Sequence, residues 1–221
     1  MTAYFPYGET EVRHLKTRDK KLGEAIDRIG MLQRTVNSDL FESLVHCIVS
    51  QQITGKALAT IWSRMKATLP AITPQTVYAV SAEDIRSFGM PLRKAEYIRQ
   101  AAQSVLSGEL DLSALSSMED AEVCRRLSEL RGIGVWTAEM LMTFSMLRPN
   151  IISYGDLAIH RGMRMLYHHR NIDRELFEKY RRRYSPYASV ASLYLWAIAG
   201  GAIEGMQDYA PKPPRKGRMA E

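Results

Sequence analysis

Apolar residues recur at helical spacing along almost the whole chain, and this periodicity limits the fold more than any other feature of the sequence. No run of alternating β-branched residues between turn signals is long enough to predict a strand. The clearest apolar stripes predict helices that begin after Asn37 and Ser38, near Thr54, after Ser81, over 91–107, over 119–130, over 135–147, at Asp156 and at Pro186. The chain is therefore predicted to be all-α, with helical pattern from about residue 20 onward.

Local signals predict where several of these helices start and stop. Ser81, followed three residues later by Asp84, resembles a capping box at a helix N-terminus. Ser185 before Pro186 predicts an N-cap with proline at the first helical position. Pro149 is predicted to end the helix that precedes it.

The composition is that of a globular protein with a modest basic excess. The chain has 221 residues, 46% of them hydrophobic, and its 30 Lys and Arg against 24 Asp and Glu give a net charge of +6. An anionic partner is therefore plausible. Part of the excess lies in residues 211–221, where basic residues alternate with prolines, and this tail is predicted to be disordered.

Cysteine usage and hydropathy exclude several classes of protein. Cys47 and Cys124 are the two cysteines of the chain, so a four-cysteine iron-sulfur cluster and a disulfide framework are both excluded. No apolar run reaches 18 residues, and the N-terminus lacks a signal-peptide pattern. These features predict a soluble, cytoplasmic protein with no membrane partner.

The segment Leu130–Trp136, which reads Leu-Arg-Gly-Ile-Gly-Val-Trp, connects two predicted helices through a very tight reversal. Gly132 and Gly134 let the backbone approach another surface closely, so N–H groups at the start of the second helix can bind a phosphate oxygen with help from the helix dipole. A tight corner between helices that binds no ligand explains the same spacing, and the hairpin alone does not choose between the two.

With three further motifs, the chain resembles the helix-hairpin-helix DNA glycosylases, and within them the alkylpurine branch. Residues 156–162 read Asp-Leu-Ala-Ile-His-Arg-Gly, and Asp156 follows Trp136 by 20 positions, as the catalytic aspartate of that family follows its hairpin. Residues 48–57 resemble the Gln-rich loop of the alkylpurine branch, and residues 89–95 resemble its Gly-x-x-x-Arg-Lys-Ala segment. The resemblance covers about residues 38–199. Arg131 stands where the family commonly has proline, but the glycines are intact.

The resemblance implies one domain over residues 1–210, built from two helical lobes without an N-terminal sheet domain or an iron-sulfur cluster. The central lobe is expected over residues 38–147, with the hairpin at 130–136, and the second lobe over 1–37 plus 148–210. Asp156 is the implied catalytic residue, either stabilising positive charge on the sugar or activating the attacking water. Without the resemblance, a simple N-cap role would be the better explanation of this aspartate.

The resemblance also implies how a damaged base is held and attacked. Gln52 matches the wedge that fills the gap left by an extruded nucleotide, although a solvated loop glutamine is the alternative. Trp136, Tyr187 and Tyr154 are the expected aromatic pocket for a cationic base, whereas Trp196 is expected in the core. In bifunctional relatives a nucleophilic lysine stands at the position of Trp136, so no lyase activity is expected here.

The remaining expectations concern DNA and ions. The residues expected to contact the DNA backbone are Gly132, Gly134, Val135, Thr137, Arg131, Lys56 and Arg161, with Arg93, Lys94 and Arg164 as further candidates. Carbonyls of Ser128, Leu130 and Ile133 match those that hold a monovalent cation when relatives bind DNA, and no cofactor is otherwise expected to be required. His160, His168 and His169 lack the partners of a metal site.

Together, the motifs predict a monofunctional DNA N-glycosylase that excises alkylated purines in base excision repair. Its partner would be double-stranded DNA with damaged bases, and it would act as a monomer, nucleoid-associated in a bacterium or archaeon and nuclear in a eukaryote. Two alternatives stay open at this point: a glycosylase for deaminated bases, and a non-catalytic helix-hairpin-helix module that grips DNA.

Overall fold

The computed structural model describes residues 3–211, and the prediction of a disordered tail falls almost wholly on residues 212–221, which lie outside the described part. The helices are α1 (Glu9–Arg18), α2 (Lys20–Ile29), α3 (Leu40–Ser50), α4 (Gly55–Thr68), α5 (Pro74–Tyr78), α6 (Ala82–Ser87), α7 (Leu92–Leu106), α8 (Asp120–Ser128), α9 (Val135–Phe144), α10 (Leu157–Tyr167), α11 (Arg174–Tyr184) and α12 (Ala188–Ala199), with a 3₁₀ turn at Ala114–Ser117. The all-α prediction is confirmed.

Over residues 3–211, β structure is limited to the two-residue strands β1 (Ala3–Tyr4) and β2 (Thr35–Val36), which pair antiparallel. This ladder bears on the organisation of the chain, which divides into two compact units. Of the described residues, the first unit holds 3–5 and 35–148, and the second unit holds 6–34 and 149–211. Residues 3–5 and 35–37 were expected in the second lobe, but pairing between β1 and β2 attaches them to the first unit instead.

In the first unit, α7 packs against α3, α5 and α6, and α9 packs against α3 and α8. Leu44, Ile48, Met65, Ile98 and Leu127 are buried completely in its core. These apolar side chains come from four helices, α3, α4, α7 and α8, so the helical stripes meet in one core, as their spacing predicts.

Two predicted helix boundaries in the chain are wrong. Helix α9 ends at Phe144 rather than near Leu147, because Leu147 takes a left-handed conformation (φ 56°) and turns the chain before Pro149 is reached. Helix α12 starts at Ala188 with Tyr187 as its N-cap, whereas Ser185 donates its N–H to the Arg181 carbonyl and so ends α11.

Cys47, on α3, is half-buried in the first unit. Burial raises the pKa of its thiol from 9.0 to about 11, and burial also raises the pKa of Cys124. Because the thiolate is the reactive form, this raised pKa keeps Cys47 in the unreactive thiol form at pH 8. We expect Cys47 to react with an aromatic disulfide reagent much more slowly in the native protein than after unfolding in denaturant, and a fast native reaction would contradict this burial.

In the second unit, α10 packs along α12 and also contacts α2. Gly162 permits the close approach of α10 and α12, since a Cβ atom there would lie 2.3 Å from the Leu195 carbonyl oxygen. Buried Asp19 caps α2 and accepts a hydrogen bond from the Tyr167 hydroxyl at 2.9 Å. No helix within residues 3–211 is long and apolar enough to cross a membrane.

Arg164, on α10, forms a two-pronged ion pair with Asp208 at 2.6 and 2.7 Å, and the hydrogen bond from Arg164 holds the pKa of Asp208 below its ordinary value. Because this folded-state pKa is depressed, the pair stabilises the protein above pH 3.8, and the stabilisation is lost as the pH falls below that value. We expect Asp208→Asn to lower the unfolding free energy by about 1 kcal/mol at neutral pH, with the difference vanishing in acid.

Denaturant unfolding of both proteins across this pH range measures the effect. Glu9→Gln is the control, because Glu9 and its partner Arg13 are 94% and 78% exposed and should contribute nothing measurable. A pH-independent loss for Asp208→Asn would show that packing, rather than charge, carries its contribution.

Candidate active site and nucleic-acid interface

Asp156 is the N-cap of α10 and is 7% exposed. Its Oδ1 accepts hydrogen bonds from the Ala158 and Ile159 N–H groups at 2.8 and 3.0 Å. Its Oδ2 accepts one from the Trp196 indole at 3.2 Å. An N-cap needs only one oxygen, so the second contact goes beyond the capping role and fixes the orientation of the whole carboxylate.

Trp196 is therefore a part of this site that the sequence reasoning missed, since that reasoning assigned it to the core. The residue is half-buried on α12, and its indole crosses to α10. The two partners are 40 positions apart, and no local spacing signals such a contact. The capping signal of Asp156, in contrast, is local, and the structure places that residue at the predicted helix start.

The first turn of α10 faces solvent next to the carboxylate. Leu157 is 86% exposed, an unusual degree for a leucine, and Arg161 is exposed one turn further on. The surface beside Asp156 thus combines an apolar side chain with a cation, which suits a partner that carries sugars and phosphates.

The two predicted pocket tyrosines of the second unit differ in their surroundings. The Tyr154 ring lies under the Arg174 guanidinium at 4.7 Å and contacts His160 and Phe177 edge-on. The Arg174 guanidinium therefore covers one face of the Tyr154 ring, and the pocket role of Tyr154 stays a prediction. Tyr187 is half-buried at the start of α12 and contacts the His14 ring at 5.2 Å.

The hairpin of the first unit connects α8 to α9 through a turn in which the Ile133 N–H donates to the Leu130 carbonyl at 3.0 Å. Gly132 has a left-handed φ of 86°, and a Cβ there would lie 2.5 Å from the Tyr97 ring. Both requirements exclude other residues at this position. Ile133 is buried and anchors the turn.

Helix α9 begins after Gly134, and within the described residues no side chain caps its N-terminus and no acidic residue lies in its first turn. Its first N–H groups and the positive end of its dipole are thus suited to an anion. Val135 and Trp136 are 59% and 48% exposed there, and Arg131 is exposed beside them. Thr137 is only 7% exposed, so its main-chain N–H is the group suited to the predicted DNA contact rather than its side chain.

The Gln-rich loop between α3 and α4 also belongs to the first unit. Gln52 is exposed and has a left-handed φ of 55°, a conformation that costs a non-glycine residue about 1–2 kcal/mol. Lys56 is exposed just beyond, in the first turn of α4. The exposure of both side chains is compatible with the predicted wedge and phosphate contacts.

Two of the further phosphate candidates are engaged elsewhere. Lys94 donates its ammonium to the carbonyls of Val49 and Gln51 at 2.8 and 2.5 Å, and desolvation lowers its pKa. Arg164 is bound to Asp208. Each of these two side chains thus has partners within the protein itself, and their contacts with phosphates stay a prediction.

The predicted cation site uses main-chain oxygens, which suit an alkali cation. The Leu130 carbonyl already accepts the Ile133 N–H and offers its remaining lone pair, and Ser128 stands at the end of α8, where carbonyls lack helical partners. Residues 3–211 hold no cluster of three or more His, Cys, Asp or Glu side chains suited to a metal ion.

The helical architecture and the uncapped hairpin define a helix-hairpin-helix protein. The sequence of residues 45–186 matches the family model of the HhH-GPD superfamily of base excision DNA repair proteins. The chain belongs to that superfamily.

Individual relatives agree with this assignment. A DNA-3-methyladenine glycosidase from Bacillus halodurans shares 36% sequence identity with this chain. Its crystal structure superposes with a TM-score of 0.84, covering 94% of this chain and 97% of that one. DNA-3-methyladenine glycosylase 1 of Schizosaccharomyces pombe is 29% identical over 80% of this chain and 78% of its own length. A structure of the 3-methyladenine DNA glycosylase of that yeast with abasic DNA has the same fold, with a TM-score of 0.75 at 24% identity, over 90% of this chain and 100% of that one.

Proposed function

We infer that this chain is a DNA glycosylase that excises alkylated purines such as 3-methyladenine and 7-methylguanine in base excision repair. The observation that carries the inference is the Asp156 carboxylate, which is buried at a helix N-terminus and oriented through both of its oxygens. The names of the Bacillus halodurans and Schizosaccharomyces pombe relatives supply the reaction class.

The chemistry follows from the bond that breaks. Cleavage of the N-glycosidic bond leaves positive charge on the sugar, and a fixed carboxylate stabilises it electrostatically. An alkylated purine carries a positive charge before it leaves and departs as a neutral base, so it needs no proton from the protein. Water then adds to the sugar carbon and loses a proton, which the Asp156 carboxylate would accept.

Trp136 decides the type of glycosylase. An indole cannot attack the sugar carbon to form a Schiff base, so the reaction ends with an abasic site and an intact strand. The ring is 48% exposed, and an electron-rich face attracts a cationic base more strongly than a neutral one. This preference favours alkylated purines over deaminated bases as substrates.

Binding to DNA is assigned to the hairpin and the Gln-rich loop. Main-chain N–H groups at the start of α9 bind a phosphate without reading bases, with Arg131, Lys56 and Arg161 as supporting cations. Carbonyls of Ser128, Leu130 and Ile133 would hold a monovalent cation that supports this phosphate contact. Gln52 fills the gap left by the extruded nucleotide. The protein acts as a monomer where chromosomal DNA lies, and the reaction needs no other cofactor.

Base release from methylated DNA tests the proposal. Duplex DNA treated with a simple methylating agent is incubated with the protein, the free bases are identified by chromatography, and the strand is checked for nicks. Release of 3-methyladenine or 7-methylguanine without nicking is the expected result. Release of uracil or hypoxanthine alone, from matched deaminated duplexes, would assign the protein to another substrate class. Binding of DNA without release of any base would show that the protein is a DNA-binding module.

A further inference from the structure

The Arg-Lys-Ala segment of α7 has no part in the proposed chemistry, yet Lys94 makes two hydrogen bonds to the Gln-rich loop. Its ammonium donates to the Val49 carbonyl at 2.8 Å and to the Gln51 carbonyl at 2.5 Å. Both carbonyls lie at the C-terminal end of α3, where helical partners are missing and the dipole is negative. Lys94 therefore fixes the residues that lead directly into Gln52.

A second contact connects this loop to the hairpin. The Gln51 side-chain amide donates to the Gly132 carbonyl at 2.7 Å, across 81 positions of sequence. The same Gly132 rests on the Tyr97 ring so closely that a Cβ would come within 2.5 Å of it. Tyr97 lies one turn after Lys94 on α7, and the Arg93 guanidinium covers its ring at 5.4 Å.

One turn of α7 thus contacts both DNA-facing segments of the first unit. Lys94 donates hydrogen bonds to the loop, and the Tyr97 ring packs against the hairpin. Gln51 connects the loop to the hairpin through its hydrogen bond to Gly132. Gln52, between these anchors, is kept in a left-handed conformation that it would not adopt as a free loop residue.

We propose that Lys94, Gln51 and Tyr97 form a brace, a set of positioning residues that fixes the distance between the loop and the hairpin. The hairpin then binds a phosphate, and the loop enters the duplex at a fixed number of nucleotides from that phosphate. Cutting the brace should leave undamaged DNA bound through the hairpin, but should weaken recognition of a duplex whose nucleotide is already displaced. The proposal rests on the proposed function only for this second consequence.

The conformational part is tested without DNA. Amide hydrogen exchange of residues 50–54 and 131–134 is compared in the wild type, Lys94→Met and Gln51→Leu, with Lys20→Met, an exposed lysine on α2, as the matched control. Faster exchange at both segments in either variant, with an unchanged melting temperature, is expected. Unchanged exchange in Gln51→Leu, which leaves Lys94 intact, would overturn the brace even if Lys94→Met fails to fold.

The functional part is measured as the affinity for a duplex with a tetrahydrofuran abasic analogue, relative to the same duplex intact. Each single variant is expected to lower this ratio roughly tenfold, the order of effect of losing hydrogen bonds with a charged or well-oriented partner. Because both cut one brace, the double variant should lose little more than either single one. Additive losses, or equal losses for both duplexes, would overturn the positioning role. If the wild type shows no preference for the abasic duplex, the extrusion of the base in the proposed function is overturned. The hydrogen-exchange experiment then still tests whether the brace exists.

Discussion

Replacing Asp156 with asparagine should reduce the release of alkylated purine by at least about 10²–10³-fold, the usual effect of removing a group that stabilises charge in a transition state. Asparagine keeps an oxygen for the Ala158 and Ile159 N–H groups, so the helix cap survives. The negative charge is lost, together with the hydrogen bond that Oδ2 of Asp156 accepts from the Trp196 indole. Single-turnover release from methylated duplex measures this chemical step apart from product dissociation.

A matched control lies in the same unit. Asp173 is the N-cap of α11 and accepts the Leu176 N–H at 2.9 Å, and within the described residues no tryptophan indole is bound to its carboxylate. Asp173→Asn should leave base release unchanged, and both variants should unfold within about 1 kcal/mol of the wild type. Equal losses of activity in the two variants would show that helix capping, not charge at the sugar, explains the effect.

The parts of this site that follow from neighbouring residues could be predicted from the sequence. The Asp156 cap and the Gly132 turn depend on contacts within a few positions, and both lie where the sequence places them. The helices were predictable for the same reason, because an apolar stripe is a local property.

The features that the sequence did not reveal are contacts between distant segments. Lys94 was assigned to phosphates because an isolated lysine on a helix shows only its charge, whereas its partners are carbonyls 43 and 45 positions away. From the sequence, Trp196 is predicted to be a core residue of an apolar helix. Its contact with Asp156 exists only because α12 packs along α10. The ladder of Ala3–Tyr4 with Thr35–Val36 is too short for any alternating pattern to appear.

The contact between α10 and α12 supports the second prediction. Gly162→Ala should destabilise the protein by about 3 kcal/mol or more, the upper range for overpacking a close contact. An added Cβ would lie 2.3 Å from the oxygen, 2.9 Å from the carbonyl carbon and 3.1 Å from the Cα of Leu195. All three are backbone atoms of α12, so no side-chain rotation can relieve the clash and the helices must separate.

The sign of this prediction opposes helix propensity, which is what makes it informative. In a helix, alanine is normally more stable than glycine by about 0.5–1 kcal/mol. Gly55→Ala is the control, because Gly55 begins α4 and a Cβ there meets nothing within 4 Å, so this variant should be neutral or slightly stabilising in denaturant unfolding. Helix separation would also move Trp196 away from Asp156, so Gly162→Ala should lose base release even at temperatures where it remains folded. A stable and fully active Gly162→Ala protein would mean that the two helices do not pack as closely as Gly162 and Leu195 indicate.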